Sequence, residues 1–336
     1  MNNKILDFFD LVLTDNLKNN KKTIYGEYRV KFYTYKKLCS GMLITFLNNG
    51  GKDYYHNKEH IPSYALNHFN LLRKKNINFE SIKKVILDDK DSIKRYKSLD
   101  NIPKILVNPN YSDNKLSKLN GYGTLRAFAY LVDNYNKKEA LKEAIRITKI
   151  ANSHPLEVYG TYILYLSLQL LKKSPLDWYE KIIKVLKNIP KDDLQILVGD
   201  DNPKQFEIFR HEILAGLDEF IYNNYKDGVI NKKEEDFGSR CVNCINSLIS
   251  KTVRSQYKGR HIFVGNTGFD MVIYAIDLYI EFYKFMENNI VPVDKILSEL
   301  VIVLGFSHHI SIILSFYISN HKKADKFMKR LTCTKL

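Results

Sequence analysis

The chain has 336 residues, 45% of them apolar and 26% charged, which is enough to bury a sizeable core and excludes a disordered or fibrous protein. Its formal charge of +15 favours acidic partners, but the lysines are scattered in the diffuse way that codon bias produces; no Arg-rich recognition helix or aromatic RNA-binding signature is present. Cys39, Cys241, Cys244 and Cys333 are too few and too scattered for a disulfide framework, and Asp7 and Asp10 interrupt any signal-peptide apolar region, so a cytoplasmic protein is expected.

In chain order, Ile5 to Leu17 reads as an amphipathic helix, and the aromatic-rich stretch Tyr25 to Tyr35 as a short strand or irregular segment. Tyr35 to Leu47 has helical spacing and stops at Asn48-Asn49-Gly50-Gly51; another helix starts near Ile61-Pro62 and runs to Lys75. Asn76 to Lys118 is polar, with Asp100, Pro103 and Pro109 interrupting short apolar pieces, and is expected to hold the long loops. Beyond Thr124 the helical period strengthens. The expected helices are Leu125–Tyr135, Lys138–Ala151, Leu156–Lys172, Asp177–Asn188, Phe206–Asn223, Cys241–Thr252, Met271–Met286 and Val293 onwards. Pro155, Pro175, Pro190, Pro203 and Pro292 fall at or near their ends, where proline is tolerated. Leu300 to Ile318 carries Ser307, His308, His309, Ser311 and Ser315, so it reads as a buried helix and no membrane is expected. The fold expected is all-α, a compact multi-helix single domain over 1–336 with a basic tail at 321–336.

Several residue groups invite a chemical reading. His56-Asn57-Lys58-Glu59-His60 matches the H-x-x-E-H zinc-protease pattern, but Gly50, Gly51 and Pro62 make it straddle a helix start, where a plain polar segment is the ordinary reading. Cys241-Val242-Asn243-Cys244 is a lone C-x-x-C without a second pair, and both thiols can face a core. His308 and His309 project about 100° apart on a helix and do not easily share one metal. Two small-residue loops lead into helices: Asn120-Gly121-Tyr122-Gly123-Thr124 and Gly265-Asn266-Thr267-Gly268-Phe269-Asp270, the second with Asp270 at the expected N-cap. Between them, Asn152 or Ser153 would cap the helix that begins at His154-Pro155. Glycines let a backbone approach a ligand, and exposed helix starts offer N–H groups to anions, so the three segments suit a phosphate-bearing ligand.

The order of these motifs resembles the ADP-ribosylglycohydrolase family, and within it the ADP-ribosyl-arginine hydrolase branch. Leu119-Asn120-Gly121-Tyr122-Gly123-Thr124-Leu125-Arg126 resembles its glycine-containing loop ending in Met-Arg. Ala151-Asn152-Ser153-His154-Pro155 resembles its Thr-His-rich segment ending in proline, and Ser174-Pro175-Leu176-Asp177-Trp178 its Pro-Leu-x-Trp. Gly265 to Asp270, with Asp277 beyond, is similar to its Gly-Ser-Ser-Gly-His-Asp segment and the acid that follows. The resemblance implies an all-α fold and a cleft for ADP-ribose lined by Gly121, Tyr122, Gly123, His154, Asn266, Thr267, Gly268 and Asp270. It also implies hydrolysis assisted by two Mg ions, held by an early Asp-Asp-Thr and a late Gly-Gly-Asp-x-Asp-Ser/Thr. Here the early motif falls at Asn57 and Lys58, and the late one at Ser307, His309 and Ser311. An amide, an ammonium, a hydroxyl and an imidazole stand where carboxylates are needed, and Mg requires hard oxygen ligands.

The expectation is therefore a family-like pseudoenzyme without Mg or another cofactor, binding ADP-ribose or an ADP-ribosylated protein. The first alternative is a hydrolase using Glu27 or Glu59 as base. The second is a basic interaction protein that contacts nucleic acid through Lys322 to Arg330, a possibility no motif supports.

Overall fold

The computed structural model describes residues 78–81, 84, 121–150, 153–226, 231–232, 267–288, 313–314, 316–318 and 320–323. Contacts divide the chain into two compact units, one comprising Met1–Pro62 and Ala275–Leu336, the other Ser63–Tyr274. The described residues are predominantly helical, as expected, with one short antiparallel bridge between β1 (Tyr225–Lys226) and β2 (Asn231–Lys232). None of their helices is long and apolar enough to cross a membrane.

The second unit is organised around α3 (Pro155–Gln169), which packs against α1 (Tyr122–Asn134), α2 (Ala140–Lys149), α4 (Trp178–Lys187), α5 (Lys191–Val198) and α6 (Pro203–Asn224). Its sequence explains that position. Glu157 is the only charged residue in PLEVYGTYILYLSLQ, and a helix that is apolar on all sides must be covered on all sides. Pro155 occupies the first turn, where its missing N–H costs nothing. The expected continuation to Lys172 does not form: α3 ends at Gln169, and Ser174 is extended ahead of Pro175, as a residue preceding proline tends to be.

The surrounding helices each turn one stripe inward. On α2 the buried residues Ala140, Leu141, Ala144, Ile145 and Thr148 recur at three- and four-residue steps, and Arg146 and Lys149 oppose the negative helix end. A single turn, Pro175–Asp177, leads into α4, which buries Trp178, Tyr179, Ile182 and Leu186; the Tyr179 hydroxyl donates to the carbonyl of Ile273 at 3.1 Å. Asn202 caps α6 through its side chain, with Pro203 next, so α6 begins three residues before the expected Phe206. The apolar pattern marks only where burial starts.

Two elements depart from the sequence reading. Helix α5 was not expected, because eight residues beginning Lys-Asp-Asp give little apolar period. Asp192 and Asp193 favour its positive end, Gly199 ends it at φ 56°, and the Lys149 ammonium binds the Val198 carbonyl (2.8 Å) and Asp201 (2.8 Å). Within the stretch expected to be loops, residues 79–81 and 84 are helical. The Asn78 and Ser81 side chains accept each other's backbone N–H at 2.9 Å, and Phe79 N–H donates to Glu143 at 3.0 Å.

Helix α7 (Gly268–Glu287) crosses the boundary between the units. In the first unit its later part packs Tyr279 on Tyr317, with ring centroids 5.4 Å apart, and Tyr283 edge-on to His321 at 5.1 Å. Glu287 gathers the start of the basic tail: His321 Nε2 at 3.1 Å, Lys322 at 3.5 Å and Lys323 at 3.0 Å. The Lys323 hydrogen bond holds the Glu287 carboxyl below its usual range. A lowered folded value means that stabilisation is present at neutral pH and lost as the acid protonates. Glu287→Gln is therefore expected to lower the melting temperature at pH 7, with the gap to the natural chain narrowing as the pH falls below the ordinary carboxylate range.

Candidate functional site

Around the start of α3, segments far apart in sequence meet on one carboxylate. Glu157 is fully buried, and its Oε1 accepts the backbone N–H of Gly121 at 2.8 Å and of Gly268 at 3.1 Å. These donors begin α1 and α7, so two positive helix ends face one acid. The Thr124 hydroxyl lies 3.3 Å from Oε2 and 3.0 Å from the Glu157 carbonyl. A buried line of hydroxyls continues from Thr124 to Thr161 (3.3 Å) and Thr148 (2.7 Å), joining α1, α3 and α2.

Two close approaches fix the geometry. A Cβ on Gly160 would lie 2.2 Å from the carbonyl carbon of Gly268, and a Cβ on Gly268 would lie 1.8 Å from the Thr124 hydroxyl. Gly160 therefore lets the start of α7 rest directly on α3. Gly121 sits at φ 71°, a left-handed conformation that aims its N–H at Glu157.

Burial dominates the electrostatics. It pushes the Glu157 carboxyl up to about 7, against its three hydrogen-bond donors and with a smaller upward push from Asp270. Burial also lowers His154 to about 4, so its ring is neutral at pH 7. His154 Nδ1 accepts the Leu156 N–H at 3.1 Å, and the ring packs edge-on against Phe209 at 4.8 Å.

The three motif segments thus come together, but not as open anion donors. Gly121 and Gly268 give their N–H groups to Glu157, an internal carboxyl group in the place expected for a ligand's. Gly123 is buried in the first turn of α1, and Tyr122 is its first residue. The α3 cap is His154 rather than Ser153, and it caps the helix with its own ring; Asn152 lies outside the described residues. Nor is Asp270 the N-cap of α7. Thr267 is, because its carbonyl accepts the Met271 N–H at 3.1 Å and its hydroxyl the Asp270 N–H at 3.2 Å. Asp270 returns the bond, accepting the Thr267 N–H at 2.7 Å and its hydroxyl, which is a capping box. Thr267, Gly268, Phe269 and Asp270 are all buried, so this helix start is not exposed.

Glu157 is the residue that the sequence reading missed, although a lone carboxylate in an otherwise uncharged helix was a usable signal. Asn266, the acids Glu27 and Glu59, the positions Asn57, Lys58, Ser307, His309 and Ser311, and Cys241 and Cys244 lie outside the described residues. Among the described residues no group of three or more His, Cys, Asp or Glu side chains could hold a metal ion. No family model, curated protein or solved structure matches the chain.

Proposed function

We propose that the chain is a non-hydrolytic, ADP-ribosylglycohydrolase-like protein that binds ADP-ribose or an ADP-ribosylated protein. One observation supports this reading above the others. The two glycine loops and the His154 helix start, which the resemblance assigns to one ligand cleft, meet at Glu157. The family's Mg pair does not suit the donors at the corresponding positions: Asn57, Lys58, Ser307 and His309 bring no carboxylate, and Lys58 carries a charge that repels a dication. No step is therefore routed through a metal, and recognition rests on the chain's own loops.

Calorimetry with ADP-ribose tests the reading. The expected result is a saturable heat whose dissociation constant is unchanged between millimolar Mg and chelator. ADP-ribosyl-arginine is expected to remain intact under the same conditions. Lack of binding in both buffers would overturn the proposal, and Mg-dependent turnover would replace it with a hydrolase.

A further inference from the structure

We propose that the outer face of α6 docks the basic tail of a second copy of this chain. Helix α6 buries one side: Phe206, Phe209, Ile213, Leu217 and Phe220 recur at three- and four-residue steps and pack inward. Its other side carries a second stripe at alternating four- and three-residue steps, Ile208, Glu212, Ala215, Glu219 and Tyr222. Such spacing runs straight along a helix and offers a continuous seam. Ala215 and Glu219 are exposed, and Glu212 is half-buried. Ile208 is 56% exposed and Tyr222 78%; they are the exposed large apolar side chains among the described residues, and both lie on this stripe.

The charge of this face runs against that of the whole chain. Between residues 207 and 222, Glu207, Glu212, Asp218 and Glu219 stand beside Arg210, which Glu207 already binds. A local excess of carboxylate on a chain of formal charge +15 selects a basic partner. The exposed Ile208 and Tyr222 add a second requirement, apolar groups set among the cations. Lys326-Phe327-Met328-Lys329-Arg330 meets both. An acid already holds the beginning of this tail within its own chain, where Glu287 gathers His321, Lys322 and Lys323. The outer face of α6 offers the same chemistry to the residues that follow. Two copies that exchange tails about a two-fold axis make the contact twice.

Surface ion pairs are individually weak and are screened by salt, so the dimer is weak and salt-sensitive. Sedimentation of the nuclease-treated full chain tests it. The mass should rise towards a dimer with protein concentration at about 0.05 M salt, and fall back to the monomer at about 0.5 M. Asp218→Lys with Glu219→Lys reverses the helix face, and Lys329→Glu with Arg330→Glu reverses the tail. Asp218 and Glu219 are exposed, where substitution barely alters folding. Each doubly substituted chain alone should associate about tenfold more weakly, because its face and tail then share one sign.

Mixed one to one, the two variants should pair again. The basic face of one meets the acidic tail of the other, and the remaining natural face meets the remaining natural tail. A natural chain that stays monomeric at every concentration would overturn the proposal, including one whose tail folds back onto its own α6. So would a mass that the reversals leave unchanged, one that rises only before nuclease treatment, or a mixture that fails to pair. The measurement uses no ligand, so its outcome is independent of the ADP-ribose reading.

Discussion

Replacing Glu157 by alanine is expected to destabilise the chain by about 4 kcal/mol at pH 6, the larger of two effects centred on the start of α3. Two buried N–H groups, those of Gly121 and Gly268, lose their acceptor together, at roughly 1–3 kcal/mol each. The missing side chain also leaves a small cavity, which adds to the loss. The effect depends on pH in a definite direction. At pH 6, already above the ordinary carboxylate range, the native acid is mostly neutral and keeps part of its stabilising contribution; by pH 8.5 the natural chain carries the cost of a buried charge that alanine avoids. The gap should therefore narrow by roughly 1 kcal/mol over that interval. Urea unfolding at the two pH values reads both quantities. A loss below about 1 kcal/mol at pH 6 would mean that the Glu157 contacts do not organise the loops.

Gly160→Ala is the second large effect, and its sign runs against helix propensity. In an uncrowded helix the change would gain about 1 kcal/mol. Here the new methyl would lie 2.2 Å from the Gly268 carbonyl carbon and 2.5 Å from the Phe269 nitrogen, both backbone atoms that cannot swing aside. The start of α7 must lift away from α3, stretching the Gly268–Glu157 bond as it goes. A net loss of about 3 kcal/mol is expected, at the upper end of overpacking effects. Chemical denaturation of the variant checks it, and a gain in stability would show that the two backbones are not in contact.

Periodicity and proline placement made α1, α2, α3, α4, α6 and α7 legible, because each of these helices buries apolar residues at helical spacing. Helix α5 was not, since its Lys-Asp-Asp start hides a short apolar end that packing against α2 and α3 makes useful. The α7 cap was misread by three residues because a capping box has polar groups at both ends, and the sequence does not say which of Thr267 and Asp270 leads. At the site, the loops were visible as glycines next to helix starts. Their occupant was not. Glu157 meets Gly121 and Gly268 across 36 and 111 residues of chain, and no local pattern records such a partnership.

That separation has a consequence during synthesis. Helices α1, α2 and α3 are neighbours in sequence and can pack as they leave the ribosome, whereas Gly268 is made 111 residues after Glu157. At the usual pace of translation this is an interval on the order of ten seconds. Throughout it the acid lacks one of its two backbone donors, and the flank of α3 at Gly160 lacks its cover. The nascent chain thus carries its most costly group half-satisfied until its last described long helix arrives, and docking of α7 is the step that retires it.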